Sequence, residues 1–166
     1  KGKSATTFRF RYFAGDRVAS TKSTSWDSYH VTWQGWGLGT SDLEIREDLG
    51  YFRDHIQLNY QDFSYTFGKR LTLMLGVGNA SNVSTATTTS EITGYTWKAQ
   101  SISGATSYFA MVGFEILGFL ELLVGSRVAR YKFFDYECIN SECTDEISRT
   151  LESNAYMVMT GLGIVF

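Results

Sequence analysis

The chain has 166 residues, a formal net charge of −2, 16% aromatic and 19% charged residues, 16 Gly and no Pro. This charge balance argues against a nucleic-acid partner, and no stretch holds the roughly 18 unbroken apolar residues of a membrane-spanning helix. The length fits one domain, residues 1–166, with room for about eight strands, and the absence of Pro suits continuous strand ladders.

Alternation of apolar and polar residues predicts eight β-strands. In chain order they cover residues 6–13, 29–38, 42–49, 55–67, 71–77, 108–117, 119–134 and 155–166. The apolar phase shifts by one residue within 35–38 and again just before Phe63. We interpret the glycines at the first of these shifts as β-bulge positions, and residues 39–41 as a short turn.

The connections alternate in length. Those after the second, fourth and sixth strands are short, at most three residues, whereas the others are longer, and residues 79–107 and 135–153 form the two longest. Such alternation is typical of antiparallel up-and-down transmembrane β-barrels, which have short turns at one end and long loops at the other. The sequence therefore predicts an all-β, eight-stranded antiparallel barrel.

Charged residues of the predicted strands lie on the face opposite the aliphatic and aromatic side chains. They are Arg9, Arg11, Glu44, Arg46, Glu115, Glu121 and Arg127. A charge facing hydrocarbon costs about 2–4 kcal/mol at the membrane midplane, so we expect all seven in the lumen. Eight strands enclose only enough space for side chains, which predicts a plug of paired charges. A soluble barrel, with Leu73, Leu75 and Ile164 in its centre, is the alternative.

Aromatic residues are concentrated towards the predicted strand ends. Trp36, Phe67 and Phe166 are near one set of ends. Near the other set are Trp26, Tyr29, Tyr51, Phe52, Tyr108, Phe109, Tyr131, Phe133, Phe134 and Tyr156. We interpret them as the two aromatic girdles found at membrane interfaces.

The last predicted strand has one bulky, uncharged face that ends in a terminal Phe. Its members are Tyr156, Val158, Thr160, Leu162, Ile164 and Phe166. This strand resembles the closing strand of the small eight-stranded outer-membrane β-barrels of Gram-negative bacteria, and the chain is similar in size and layout to the OmpA transmembrane domain and OmpX. The resemblance implies that the barrel-assembly machinery reads this strand as its signal. It also implies a monomer in contact with outer-membrane lipid and lipopolysaccharide, with periplasmic termini and extracellular long loops.

Three groups of residues are candidates for chemistry. Cys138 and Cys143 predict a disulfide in an oxidising compartment, and a metal site is disfavoured because no His is near them. Asp27, Ser28 and His30 lie close together in sequence, as in a lipid A-modifying enzyme. However, Asp27 falls on the opposite face of the strand, and a lumen-facing polar His30 is the favoured interpretation. No cofactor or metal is predicted.

Three functions fit this pattern. The leading hypothesis is a non-enzymatic surface protein with a side-chain-filled lumen, whose loops 79–107 and 135–153 make structural or adhesive contacts. The second is a narrow channel for small solutes or ions, and the third is a lipid A-modifying acyltransferase or deacylase.

Overall fold

A computed structural model describes residues 7–18, 20–140 and 151–166. It contains eight strands: β1 (Phe8–Val18), β2 (Lys22–Trp33), β3 (Trp36–Asp48), β4 (Phe52–Gly68), β5 (Leu71–Ser90), β6 (Thr96–Ile116), β7 (Leu120–Cys138) and β8 (Leu151–Val165). Within those ranges, no helix is long and apolar enough to cross a membrane.

Each strand pairs antiparallel with its neighbour in chain order, and β1 also pairs with β8. This last ladder joins Arg9–Ala14 to residues 160–165, so the sheet closes on itself. The prediction of an all-β, antiparallel fold is therefore confirmed.

The two ends of the sheet differ. One end, here called the turn end, carries the first and last described residues, Thr7 and Phe166, and the short connections at residues 34–35, 69–70 and 117–119. The β2–β3 turn has positive φ at Gln34 (51°) and Gly35 (91°), as a two-residue hairpin with the twist of its strands requires. The predicted turn at residues 39–41 is wrong, because these residues lie inside β3.

At the opposite, loop end, the strands run much further than the sequence predicted. Most of the predicted loop 79–107 belongs to β5 and β6, which are joined only by residues 91–95. The predicted loop 135–153 is likewise shortened at both ends, and its residues 141–150 lie outside the described part of the chain. Among the described residues, the sheet itself forms most of the loop end.

A belt of exposed apolar side chains surrounds the turn-end half of the molecule, and we call it the apolar belt. Leu73, Leu75 and Ile164 are between 41% and 45% exposed, so they face outward rather than forming a centre. Every strand contributes, through Phe8, Phe10, Tyr12, Tyr29, Val31, Trp33, Trp36, Leu38, Phe63, Phe67, Leu71, Leu73, Leu75, Val77, Tyr108, Val112, Phe114, Leu122, Val124, Val128, Tyr156, Val158, Leu162, Ile164 and Phe166.

The loop-end half has the opposite polarity. Most of its buried side chains are apolar, and they include Trp26, Leu43, Ile45, Ile56, Leu58, Tyr60, Tyr131, Phe133 and Met157. Its outer face carries polar and charged residues such as Asp42, Arg46, Gln61, Arg130 and Lys132. Trp26, Phe109, Tyr131 and Phe133 are therefore interior side chains, and assigning them to an outer aromatic girdle was wrong.

The two halves meet without any break in the strands. In β3 the inward positions continue from Gly37 and Ser41 to Leu43 and Ile45, and the ladders to β2 and β4 keep one register throughout. The phase shifts predicted within 35–38 and before Phe63 are thus not bulges in β3 or β4. At the first, the β2–β3 turn interrupts the pattern. At the second, β4 alternates regularly while the polarity of both faces reverses.

The β5–β6 ladder is interrupted in the loop-end half. Asn79 pairs with Thr106 and Thr87 with Lys98, but residues 80–86 and 99–105 between them are unpaired with each other. On the far side of β5, two register shifts interrupt its ladder with β4, and on the far side of β6, another separates Ser103 from Thr106. The extra residues lie in β5 and β6, in the same stretch in which these two strands are unpaired with each other.

Candidate functional site: the charged lumen

Two buried clusters of charged side chains lie inside the half surrounded by the apolar belt. The first is built on Arg11 and Glu121, whose side chains are both 0% exposed. The Arg11 guanidinium donates two hydrogen bonds to the carboxylate, from Nε at 2.7 Å and from Nη2 at 2.8 Å. Thr66 accepts a third bond from Arg11 at 2.7 Å, and Thr72 donates to Glu121 at 2.5 Å. This bidentate arrangement satisfies both ions without water.

The second cluster lies nearer the loop end and is centred on Asp62. Its carboxylate accepts two bonds from the Arg127 guanidinium, one of them at 2.6 Å, and one from Ser41 at 2.8 Å. His30 Nε2 lies 3.1 Å from the same carboxylate, and Ser107 accepts a bond from Arg127 at 2.6 Å. Side chains from five strands, β2, β3, β4, β6 and β7, thus meet at the Asp62–Arg127 ion pair.

Aromatic rings complete the surroundings of Arg127. Its guanidinium carbon lies 4.1 Å from the centroid of the Trp26 ring, 4.9 Å from Phe109 and 5.4 Å from Tyr60. These distances are within the range of cation–π attraction, which strengthens when the cation is desolvated. Arg127 therefore joins the polar half of the interior to the apolar half.

Glycines provide the space for these large side chains. A Cβ atom at Gly78 would overlap Asp62, Arg127 and Ser107, and one at Gly113 would overlap Glu121 and Thr72. Because the neighbouring wall positions have no side chain, two guanidinium groups fit inside a sheet of only eight strands.

Four of the seven predicted lumen charges are buried inside the molecule. Arg11, Glu121 and Arg127 form the clusters above, and Arg9, 5% exposed, donates to the backbone oxygen of Lys69 at 2.8 Å. Glu115, half-buried, lies on the same inward face of β6 as Gly113, close to the turn end.

The prediction that Glu44 and Arg46 line the lumen is wrong. They lie beyond the polarity reversal of β3, so their face of the strand points outward, and the Arg46 side chain is 68% exposed. They form a surface cluster in which Glu44 contacts Arg46 at 2.7 Å and His55 at 2.9 Å. The hydrogen bond from Arg46, with a further one from His55, lowers the pKa of the Glu44 carboxyl.

Sequence reasoning did not include Asp62 among the lumen charges. The sequence pattern does place Asp62 on the polar face, because Asp62 and Ser64 alternate with Phe63 and Tyr65. Its pairing with Arg127, 65 residues away, depends on which strands face each other across the lumen.

His30 is fully buried in the lumen, but the three residues of the candidate enzyme site do not come together. Ser28 shares its inward face, and Ser28 Oγ and His30 Nδ1 make no hydrogen bond within the described residues. Asp27 faces outward and accepts a hydrogen bond from Tyr12 at 2.6 Å.

The remaining predicted sites lie at the two ends. Cys138 ends β7, and Cys143 lies outside the described residues, so the disulfide stays a prediction. Phe166 exchanges backbone hydrogen bonds with Phe8 at 2.9 and 3.2 Å, and its side chain is 71% exposed. The bulky face of the closing strand is thus on the outside of the sheet, in the apolar belt.

These features define a closed antiparallel β-protein. In its turn-end half, the exterior is apolar and the interior holds ion pairs. Compared with models of known protein families and with characterised proteins, the sequence gives no match.

Proposed function

We propose that the protein is an integral membrane β-barrel of the outer-membrane type, in which the apolar belt contacts lipid and the loop-end half projects outside the cell. The apolar belt is the observation that carries the proposal. Along β8, outward residues from Tyr156 to Phe166 are uncharged over about 33 Å of strand, or about 25 Å of height at a tilt of ~40°. Apolar bands of outer-membrane barrels have about this height.

The change from an apolar to a polar exterior along the strands supports the same orientation in the membrane. In water, an outward belt of large apolar side chains would be unfavourable, whereas in lipid it costs nothing. Beyond the belt, the interior becomes apolar and the exterior polar, as expected where water surrounds the sheet. The periplasmic side is then the turn end.

The state of the lumen favours a structural or adhesive surface protein over a channel. The Arg11–Glu121 and Asp62–Arg127 clusters, fully buried and each hydrogen-bonded to several strands, fill the lumen at two levels. Above them lie buried aromatic and aliphatic side chains. The polar outer surface of the projecting strands, rather than flexible loops, is then available for contacts.

Lipid A modification is the weaker alternative. A nucleophile needs a base within hydrogen-bonding reach, and Ser28 has no such bond to His30. His30 is instead engaged with Asp62, inside the polar lumen.

Tryptophan fluorescence tests the proposal directly. Trp33 and Trp36 are 58% and 56% exposed in the belt, whereas Trp26 and Trp97 are 1% and 6% exposed. In vesicles of phosphatidylcholine brominated near the headgroup, we expect strong quenching of the protein. The double variant Trp33→Phe/Trp36→Phe should lose most of the quenching, and the matched variant Trp26→Phe/Trp97→Phe should keep it.

Equal quenching in the two variants, or a folded protein that is soluble without detergent, would contradict the membrane proposal. Planar-bilayer recordings separate the two non-enzymatic functions: the filled lumen predicts no reproducible single-channel steps, and such steps would favour the channel.

A further inference from the structure

We propose that the gap between β5 and β6 is a lateral port through which a hydrocarbon chain of an outer-leaflet lipid enters the apolar interior of the loop-end half. The inference rests on the membrane orientation proposed above. It adds a ligand site to a protein otherwise assigned a structural role.

The gap is bounded by two unpaired strand edges of equal length. Between the pairs Asn79–Thr106 and Thr87–Lys98, each strand advances by eight residues, so the register is the same on both sides of the gap. The edges can therefore separate and rejoin without sliding. The ladders outside them, β4–β5 and β6–β7, have their register shifts in this same stretch.

A depression of about 450 Å³ lies at this gap, with residues of both strands around it. This volume is in the range of small-molecule sites. Its lining is uncharged and comprises Asn79, Ala80, Ser81, Asn82, Val83, Ile102 and Ala105. The absence of charge from this lining disfavours an ionic ligand. Its polar members are Asn79, Ser81 and Asn82, and the four others are apolar and can contact a hydrocarbon chain.

The inner side of the gap is continuous with the apolar interior. Ala80, Val83 and Ile102 are half-buried and pack against the buried core. Their partners on the neighbouring strands are Tyr60, Leu58 and Phe133, which are at most 1% exposed. A chain that passes between the edges thus meets hydrocarbon and aromatic surface.

The outer side of the gap adjoins the apolar belt. This position indicates that the occupant of the gap is a lipid acyl chain. Val77 and Tyr108 are directly paired members of the belt, and Ala80 follows Val77 by three residues, about 10 Å along β5. This distance places the lower end of the gap at the level of lipid headgroups. The nearest apolar molecules are therefore the acyl chains beside Val77 and Tyr108.

Photolabelling by lipid provides the test. The full protein is placed in phosphatidylcholine vesicles that contain a lipid with a diazirine in its acyl chain, irradiated, and mapped by mass spectrometry. We expect labels on the belt, and additional labels on Val83, Ile102 or Ala105 above the background at the interior residue Met111. In Ala80→Phe, which fills the gap, the gap labels should fall to that background. The matched variant Ala110→Phe adds the same side chain on the belt and should keep them.

The outcomes separate the port from the membrane proposal. Absence of label on the belt would overturn both. Label on the belt alone, with none at the gap in the unaltered protein, would overturn the port only, and would leave the gap to water or to an extended peptide strand. Amide hydrogen exchange is the second measurement: edges as protected as the paired residues 77–79 would mean that the gap is closed, and would also overturn the port.

Discussion

Removing the charge of Glu121 should destabilise the protein strongly. Glu121→Gln keeps the shape of the side chain but leaves the fully buried Arg11 without its carboxylate. Breaking one partner of a buried ion pair typically costs about 3–5 kcal/mol, because the other charge stays desolvated. This corresponds to roughly two to three and a half orders of magnitude in the unfolding equilibrium constant.

Two further variants show whether the cost comes from the unpaired charge. Arg11→Met/Glu121→Leu removes both charges, so its cost should be well below the sum of the two single substitutions. Glu152→Gln is the surface control: its pair with Lys132 is long, 3.9 Å, and the two side chains are 61% and 46% exposed. For such a pair we expect about 0–1 kcal/mol.

The free energy of unfolding is measured by urea titration of the protein in lipid vesicles, followed by tryptophan fluorescence. Electrophoresis without boiling provides an independent measure of the folded fraction. If Glu121→Gln costs no more than Glu152→Gln, the reasoning is refuted. The lumen would then be hydrated enough to screen Arg11, which is the condition that a channel requires.

The other predictions concern the outer faces and the cysteines. Leu75→Lys puts a charge on the belt and should cost about 2–4 kcal/mol in vesicles, in the same urea assay; a negligible cost would place Leu75 in water. Ile45→Ala, in the apolar interior of the loop-end half, should cost about 2–5 kcal/mol, whereas Glu44→Ala on the opposite face should cost far less; equal costs would contradict the reversed polarity. Thiol titration of the denatured, unreduced protein should find no free thiol if Cys138 and Cys143 are joined, and two reactive thiols would refute the disulfide.

The turn-end half was the part of the fold most accessible to sequence reasoning. On β1, Phe8 and Phe10 alternate with Arg9 and Arg11, and the structure puts the first pair outside and the second inside. One rule, apolar residues outward and charges inward, is sufficient there. The short connections between β2 and β3, β4 and β5, and β6 and β7 also agree with the sequence pattern, although the first was predicted a few residues too late.

The loop-end half could not be predicted with the same rule. At Glu44 and Arg46 the charges are outside, because the polarity of both faces has reversed while the alternation of β3 continues. A sequence pattern of period two reports that the faces differ, but not which one is inside. Ser- and Thr-rich residues 79–107 were predicted to be a loop for a related reason: small polar residues are typical of loops, yet here most of them form strands.

Which charged residues pair with each other across the lumen is harder still to predict from the sequence. Arg11 lies 110 positions from Glu121, and Arg127 lies 65 positions from Asp62. Which charges meet depends on the stagger of all the intervening ladders, including the bulges of β5 and β6. The same stagger opens the gap between these strands, so neither feature has a local sequence signal.

The reversal of polarity also explains how the lumen clusters and the gap can exist in one molecule. Where the exterior is apolar, the interior can hold charges, and their ion pairs cross-link the strands beside a few buried apolar side chains such as Met74 and Met111. Where the exterior is polar, an apolar core takes over this role, and the strands no longer depend on a complete ring of hydrogen bonds.

The β5–β6 ladder is intact from Leu71–Phe114 to Asn79–Thr106 and is interrupted only beyond that point. An unpaired strand edge within the hydrocarbon core would be costly, whereas at the level of the headgroups water can reach the backbone groups of the edge, and the edge is tolerated. The position of the gap, just past the belt, is therefore the lowest position at which the membrane proposal permits one.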